Sequence, residues 1–209
     1  MKYLIWDYNG TIVDDTRLCF EIEMKMLRDR GMKADFDMDW YLHHFRFPVI
    51  EYYKDVGYDF EKEDFNEIAI EFNELYNAEF LSCPLCGGFE DKINESIDKG
   101  YKNVIVSASH EDNLKNQCEA FKIDKYFDEL IGIDNIHAGS KVERAREWMS
   151  KNNINPEDCK YIGDSEHDKD VALALGIEDY ILVASGHQAY DVLTNISDKV
   201  VKTLYDVEL

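Results

Sequence analysis

Short apolar runs alternate with helical stretches throughout the second half of this 209-residue sequence. The runs lie at 104–106, 130–131, 161–162 and 180–183. The patterns around and between them predict helices near 89–99, 111–121, 141–152 and 167–175. Strands that alternate with helices are typical of a parallel sheet covered by helices on both faces. The sequence therefore predicts an α/β fold.

One further apolar run, residues 3–6, precedes a stretch of a different character. Residues 16–82 show helical periodicity and no convincing strand pattern. Because a lone strand is not stable inside a helical domain, we expect residues 3–6 to join the later sheet. The helical stretch is then an insertion into the α/β core. The predicted domains are a core at 1–13 and 86–209 and an α-helical insertion at 14–85.

The composition limits the partners that this chain can bind. Its formal net charge of −21 repels nucleic acids and anionic membranes over most of the surface. We find neither a signal-peptide pattern nor an apolar run that approaches the length of a membrane span, so we expect a cytoplasmic protein, as a monomer or a small homo-oligomer. Five scattered cysteines fit reduced thiols. Cys83 and Cys86 have the spacing of a zinc or redox pair, but without a second ligand pair we interpret them as small packing residues.

Polar residues that follow the predicted strands indicate where the functional site lies. In an open α/β sheet, ligands bind beyond the carboxyl ends of the strands. Asp7, Ser107 and Asp164 directly follow apolar runs, and Lys141 and Asp168 lie near the starts of predicted helices. Each residue alone has an ordinary explanation as a turn or cap residue. Their convergence at one sheet edge is much harder to explain by accident.

These residues also occur as four ordered motifs. The motifs are Asp7-Tyr8-Asn9-Gly10-Thr11, the apolar run that ends at Ser107, Lys141, and Gly163-Asp164-Ser165-Glu166-His167-Asp168. In this order the sequence resembles the haloacid dehalogenase superfamily, in particular its phosphoglycolate phosphatase-like and β-phosphoglucomutase-like branch. The resemblance implies a Rossmann-like sheet core with an inserted α-helical cap domain, and a Mg²⁺-dependent phosphatase that acts on a small phosphorylated metabolite.

The resemblance also implies a role for each matched residue. Asp7 is the expected nucleophile, which forms an aspartyl-phosphate. Because a phosphate monoester repels a carboxylate, nearby positive charge is required, and Mg²⁺ prefers oxygen ligands. The expected metal ligands are Asp7, the backbone carbonyl of Asn9, and Asp164, with Asp168 close by. The expected phosphate-binding residues are Gly10, Thr11, Ser107, Ala108 and Lys141.

Asn9 departs from the family pattern, in which an aspartate at this position acts as general acid and base. An amide cannot perform either role, although its oxygen and nitrogen still form hydrogen bonds. Three interpretations stay open: a phosphatase whose substrate has a good leaving group or in which another residue supplies the proton, a phosphonate-cleaving enzyme with a cap lysine, or a protein that binds phosphate ligands without turnover. Candidate proton donors are His43, His44 and His110, and candidate cap lysines are Lys25 and Lys54.

The segment at 39–48 of the insertion is rich in aromatic residues and also contains His44 and Arg46. It is a candidate for binding the organic part of a phosphate ester, with Arg46 on a carboxylate or second phosphate. Two further features are expected to lie outside the site. They are the solvated acid Asp170 and the turn at Gly186-His187-Gln188.

Overall fold

The computed structural model describes residues 1–133 and 141–209. Within those residues, parallel strands form one sheet in the order β3-β2-β1-β4-β5-β6. The strands are β1 (Tyr3–Trp6), β2 (Lys102–His110), β3 (Glu129–Ile133), β4 (Cys159–Gly163), β5 (Tyr180–Val183) and β6 (Val200–Val201). The predicted α/β fold is confirmed, and the first apolar run lies at the centre of the sheet between β2 and β4.

Helices occupy the predicted stretches both in the insertion and in the core. Those of the insertion are α1 (Thr16–Asp29), α2 (Met38–His44), α3 (Val49–Val56) and α4 (Phe65–Glu79). Those of the core are α5 (Phe89–Asp98), α6 (Glu111–Phe121), α7 (Lys141–Lys151), α8 (Glu166–Ala174) and α9 (Tyr190–Ile196). Neither α9 nor β6 is predicted from the sequence, because segments of seven and two residues are too short to show a clear period.

Alternating side chains of β1 show why the sheet is buried on both faces. Leu4 and Trp6 pack in the same apolar cluster as Phe89 of α5, whereas Ile5 packs in a second cluster with Ala145 of α7. Successive side chains of a strand point to opposite faces, so helices on both sides are needed to cover them. This arrangement leaves the carboxyl ends of the strands as the edge at which polar residues collect.

The two connections between sheet and insertion run side by side. Val13 forms an antiparallel bridge with Leu85, and the Asp14 N–H donates to the carbonyl of Pro84 at 3.0 Å. The boundaries predicted at 14 and 85 lie at this crossing and stay a prediction. Nearby, Cys86 is buried, and its thiol donates to the carbonyl of Gly10. Within the described residues, no helix combines the length and apolarity needed to cross a membrane.

Candidate active site

Three aspartates converge at the carboxyl edge of the sheet. Asp7 follows β1, and its N–H donates to the carbonyl of Ile162 in the neighbouring strand β4 at 2.8 Å. Asp164 follows β4, and Asp168 lies in the first turn of α8. One carboxylate oxygen from each aspartate lies within 4.8 Å of the others, and all three residues are buried. Aspartates from motifs that are far apart along the chain therefore form one compact carboxylate cluster.

Lys141 supplies the positive charge of this cluster. As the first residue of α7 it is only 2% exposed, and its ammonium group donates to Oδ1 of Asp7 and, at 2.7 Å, to Oδ1 of Asp168. Burial alone lowers the pKa of Lys141, but the charges of Asp168 and Asp7 raise it well above its usual value. Lys141 is therefore a permanent cation beside the carboxylate expected to attack phosphorus.

Asp168 holds the site together through a large set of donors. Its Oδ2 accepts hydrogen bonds from the N–H groups of Asp164 and Ser165 and from the Ser165 hydroxyl, while Oδ1 accepts from Lys141 and Tyr161. Burial raises the pKa of Asp168, but the charges of Lys141 and His167 and these donors bring it below its usual value. Because five donors already bind the two oxygens of Asp168, its main role is to orient Lys141 and the loop after β4. It has little hydrogen-bonding capacity left for a ligand.

The charge balance of the cluster fits a divalent cation. Three carboxylates face one lysine, which leaves an excess of buried negative charge. Burial and the neighbouring Asp168 raise the pKa of Asp7 well above its usual value, although Lys141 opposes them. Burial likewise raises the pKa of Asp164 to about 6. An oxygen-rich site with uncompensated negative charge is what Mg²⁺ selects, so the residues present suit this ion.

Asn9 is held by a network that accounts for both of its amide protons. Its Nδ2 donates to Oδ2 of Asp15 at 2.6 Å and to the Tyr76 hydroxyl at 3.0 Å, and its Oδ1 accepts from the Ser109 hydroxyl at 3.0 Å. Asp15 is completely buried and also accepts from the N–H of Gly10 and from Tyr76. The amide is thus fixed as a partner of a buried carboxylate.

His187 lies in this network, contrary to the expectation that residues 186–188 form a turn outside the site. Its N–H donates to Oδ2 of Asp164 at 2.6 Å, Nε2 lies 3.3 Å from Oδ1 of Asp15, and Nδ1 lies 2.8 Å from the Tyr41 hydroxyl. Burial lowers the pKa of His187, but the hydrogen bond and charge of Asp15 raise it to about 9. The imidazolium and the hydrogen bonds from Asn9 and Tyr76 in turn hold the pKa of Asp15 below its usual value despite burial.

Gly186 shows how closely this segment approaches the carboxylates. A Cβ atom at Gly186 would lie 2.2 Å from Oδ2 of Asp164, and one at Gly10, where φ is +72°, would lie 2.4 Å from the same oxygen. The segment follows β5, the strand next to β4, by two residues. His187 lies four residues beyond the end of β5, so a rule that takes the residues directly after each strand does not reach it.

The predicted phosphate-binding residues differ in whether they reach the cavity and in whether their polar groups already form hydrogen bonds. Ala108 lines the cavity above Asp7. Ser107 is buried within β2, where its Oγ accepts from the N–H of Ser109. The Gly10 N–H donates to Asp15 and to the carbonyl of Val13, so it is not free to bind phosphate in this structure. The Thr11 hydroxyl donates to Oδ1 of Asp164 and therefore orients a carboxylate.

A cavity of about 380 Å³ extends from the carboxylates into the insertion. It is lined by Asp7, Asn9, Lys141, Asp164 and Asp168 at one end and by aromatic and apolar side chains of α1 to α4 and their loops elsewhere. His44 and Arg46 are not among its lining residues. His44 stacks on Trp40, and Arg46 forms an ion pair with Asp55. These two cap residues, which were predicted to bind substrate, therefore lie outside the cavity lining, and each contacts another residue of the insertion.

The three histidines considered as proton donors also lie outside the cavity lining. His43 contacts Asp191 and the carbonyl of Asp39, and His110 caps its own helix by accepting from the Asp112 N–H. His167, which is not among the predicted proton donors, lines the cavity instead, with its ring stacked on Phe47. Burial lowers the pKa of His167 to about 4, so its ring is neutral near pH 7.

The fold and the motif-derived cluster agree with the comparisons to known proteins. The haloacid dehalogenase-like hydrolase family matches residues 4–182, and the chain belongs to this family. No curated protein is similar to the sequence at a significant level.

Solved structures share the whole architecture at low sequence identity. A predicted phosphatase from Clostridium acetobutylicum is 22% identical, with 98% of this chain and 95% of that chain covered at a TM-score of 0.79. A haloacid dehalogenase-like hydrolase from Streptococcus pneumoniae is 17% identical, with coverages of 99% and 96% and a TM-score of 0.81. CbbY from Rhodobacter sphaeroides, solved in complex with phosphate, is 15% identical, with coverages of 99% and 96% and a TM-score of 0.72.

Proposed function

We propose that this protein is a Mg²⁺-dependent phosphatase that hydrolyses a small phosphomonoester through an aspartyl-phosphate on Asp7. The observation that carries the proposal is the buried cluster of Asp7, Asp164 and Asp168 around the ammonium group of Lys141. A nucleophilic carboxylate, a fixed cation and an excess of negative charge for a metal are the parts that phosphoryl transfer requires.

In the first step, an oxygen of Asp7 attacks phosphorus and the alcohol leaves. Lys141 already holds Oδ1 of Asp7, so the other carboxylate oxygen is the one available for attack. Bound Mg²⁺ would supply positive charge that offsets the repulsion between the phosphate and this carboxylate. Asp7, Asp164 and the backbone carbonyl of Asn9 would hold the ion, while Asp168 keeps Lys141 and the loop after β4 in place.

Asn9 affects both steps of the reaction. The leaving alcohol needs a proton and the attacking water must lose one, and an amide provides neither service. The amide is bound instead to Asp15, Tyr76 and Ser109. Loss of general acid–base catalysis typically costs about 10²- to 10⁴-fold in rate, so we expect slow turnover that favours esters with good leaving groups.

The phosphonate-cleaving alternative has little support in the cap. That chemistry needs a lysine that reaches the substrate. Lys25 and Lys54 are exposed and ion-paired with Asp29 and Glu51, and neither lines the cavity. Among the described residues, Lys141 is the one lysine of the lining, and it belongs to the core.

The test is phosphate release from a panel of small phosphomonoesters that includes an aryl phosphate. The native chain, Asp7→Asn and the control Asp170→Asn are assayed with Mg²⁺ and with chelator. Asp170 is the matched control because it is an exposed aspartate on α8. We expect release by the native chain and by Asp170→Asn, which chelator abolishes, and none by Asp7→Asn.

Two results would count against the proposal. Full release by Asp7→Asn would remove the nucleophile from the mechanism. Thermal stabilisation of the native chain by Mg²⁺ with phosphate esters, but without any phosphate release, would identify a ligand-binding protein instead.

A further inference from the structure

The cavity continues well beyond the carboxylates, along one face of α1. Asp15, Cys19 and Glu23 follow one another at intervals of four residues, which places them on the same side of the helix. Asp15 contacts Asn9 at the reactive end, and Cys19 and Glu23 line the cavity farther along. With a rise of 1.5 Å per residue, the eight residues from Asp15 to Glu23 span about 12 Å. The cavity is therefore deep enough for an elongated molecule.

Glu23 ends this row as a buried carboxyl group with incomplete hydrogen bonding. It is only 3% exposed, and its Oε2 accepts from the Tyr52 hydroxyl. Its Oε1 has no partner within residues 1–133 and 141–209. Burial raises the pKa of Glu23 to about 7. Leaving a buried polar atom without a partner costs about 1–3 kcal/mol, so a ligand that supplies a donor here would gain affinity.

Gln117 is a second residue of the cavity lining whose buried side-chain oxygen lacks a hydrogen-bond partner within the described residues. This residue of α6 also lines the cavity and is buried, and its Nε2 donates to Oδ1 of Asn77. Within the described part of the chain its Oε1 has no partner. Two residues of the cavity lining, on two different helices, thus each carry a buried acceptor oxygen that no described residue uses.

The remaining wall of the cavity within the insertion is largely apolar. Its side chains include Tyr41, Phe45, Phe47, Ile50, Tyr53 and Phe72. In the described residues, no arginine lines the cavity, and its one lysine is Lys141 at the reactive end. His187 also lines the cavity as a cation, but it is already paired with Asp15. A second phosphate or a carboxylate on the ligand would therefore enter an apolar region without an unpaired countercharge and near the carboxyl group of Glu23.

We propose that the cavity binds a phosphomonoester with an elongated apolar body and an amine or hydroxyl group at the end remote from the phosphate, and that Glu23 accepts the hydrogen bond from this group. The phosphate end of this inference rests on the proposed phosphatase function. The binding of the distal group does not depend on turnover, because Glu23 lies on the insertion and the carboxylate cluster lies on the core.

The test uses ligands that differ at one position. Octyl phosphate, ω-hydroxyoctyl phosphate, ω-amino-octyl phosphate and ω-carboxyoctyl phosphate are assayed for KM and kcat with Mg²⁺. Octanol and ω-amino-octanol, which lack phosphate, are titrated by calorimetry to give Kd. The proteins are the native chain, Glu23→Gln and the control Glu21→Gln, a substitution on the exposed face of α1 whose glutamate pairs with Arg17.

We expect the native chain and Glu21→Gln to bind the amino compounds about ten- to a hundredfold more tightly than the unsubstituted ones, as for a hydrogen bond to a charged group. The hydroxyl compound should show a smaller gain, and the carboxy compound should bind more weakly than octyl phosphate. In Glu23→Gln the preference for the amine should fall to within about threefold, since the substitution removes the charge but keeps the shape.

The two proposals fail separately. Equal KM and Kd values for the amino and unsubstituted compounds, or an amine preference that survives Glu23→Gln, would overturn this inference even if every ester releases phosphate. Absence of phosphate release from all esters, with tight binding of ω-amino-octanol that Glu23→Gln weakens, would support the inference and reject the phosphatase. No binding of either alcohol and no effect of the distal group on KM would overturn the inference as well.

Discussion

The substitution Asn9→Asp would place two carboxyl groups in contact within a buried network. Nδ2 of Asn9 lies 2.6 Å from Oδ2 of Asp15, and Asp15 is completely buried. An aspartate at position 9 exchanges this donor for an oxygen, so the two groups cannot both be ionised without strong repulsion. The pair should therefore hold one proton at neutral pH, as coupled carboxylates do.

The size of the effect follows from the cost of keeping that proton. A free aspartate has a pKa near 3.9, and each unit between this value and the ambient pH costs about 1.4 kcal/mol, so retention at pH 7 costs at most about 4 kcal/mol. The hydrogen bond formed by the retained proton offsets part of this cost, which leaves about 2–4 kcal/mol of destabilisation. Because the folded variant holds a proton that the unfolded chain releases, stability relative to the native chain falls as pH rises above about 4.

The assay is urea unfolding of the native chain and Asn9→Asp between pH 5 and pH 8, with chelator present. The double variant Asn9→Asp/Asp15→Asn is the matched control, because it restores one amide and one carboxyl group with the positions exchanged. We expect the deficit of the single variant to grow with pH and the double variant to recover most of it at pH 8. A deficit that stays constant with pH, or a single variant as stable as the native chain at pH 8, would refute the shared-proton reasoning.

Three further predictions concern single side chains of the site and cavity. Glu23→Gln should be more stable than the native chain by up to about 3 kcal/mol above pH 7, and the difference should develop between about pH 4.5 and pH 7. The reason is that the raised pKa of Glu23 lowers the stability of the native chain over the pH range in which the unfolded chain ionises. Urea unfolding across this range measures the difference, and a gain that is largest at pH 4 would contradict the prediction. Lys141→Met should cost about 3–5 kcal/mol in unfolding with chelator, since buried carboxylates lose their cation, and added Mg²⁺ should restore part of this loss; an undiminished stability would contradict the charge argument. Gly186→Ala should lower the free energy of unfolding by about 1–3 kcal/mol and lower the rate of phosphate release, because its Cβ would collide with Asp164. Native values for both stability and phosphate release would contradict this prediction and show that the backbone at residue 186 shifts at little cost.

The sequence allowed good prediction of the sheet and of the residues at its carboxyl edge. The strand that precedes Asp7 and the helix that begins at Lys141 follow directly from periodicity. Asp7, Asp164 and Asp168 meet because parallel strands bring their carboxyl ends to one edge. These parts of the site depend on local pattern and topology, which a sequence contains.

The contacts of the insertion could not be predicted in the same way. Arg46, in the loop after α2, pairs with Asp55 of α3. Glu23 of α1 contacts Tyr52 of α3, and both contacts depend on tertiary packing. His187 comes within 3.3 Å of Asp15, although 172 positions separate them in the sequence. A cytoplasmic location and the oligomeric state stay predictions.

The most direct test of the proposed mechanism is to look for a phosphoryl group on Asp7. The native chain is mixed with Mg²⁺ and an aryl phosphate, quenched with acid during turnover and digested, and its peptides are analysed by mass spectrometry. We expect an acid-stable, hydroxylamine-sensitive phosphoryl group on the peptide that contains Asp7, and its absence in Asp7→Asn. Steady phosphate release by the native chain without any such group, or with the group on another residue, would contradict it.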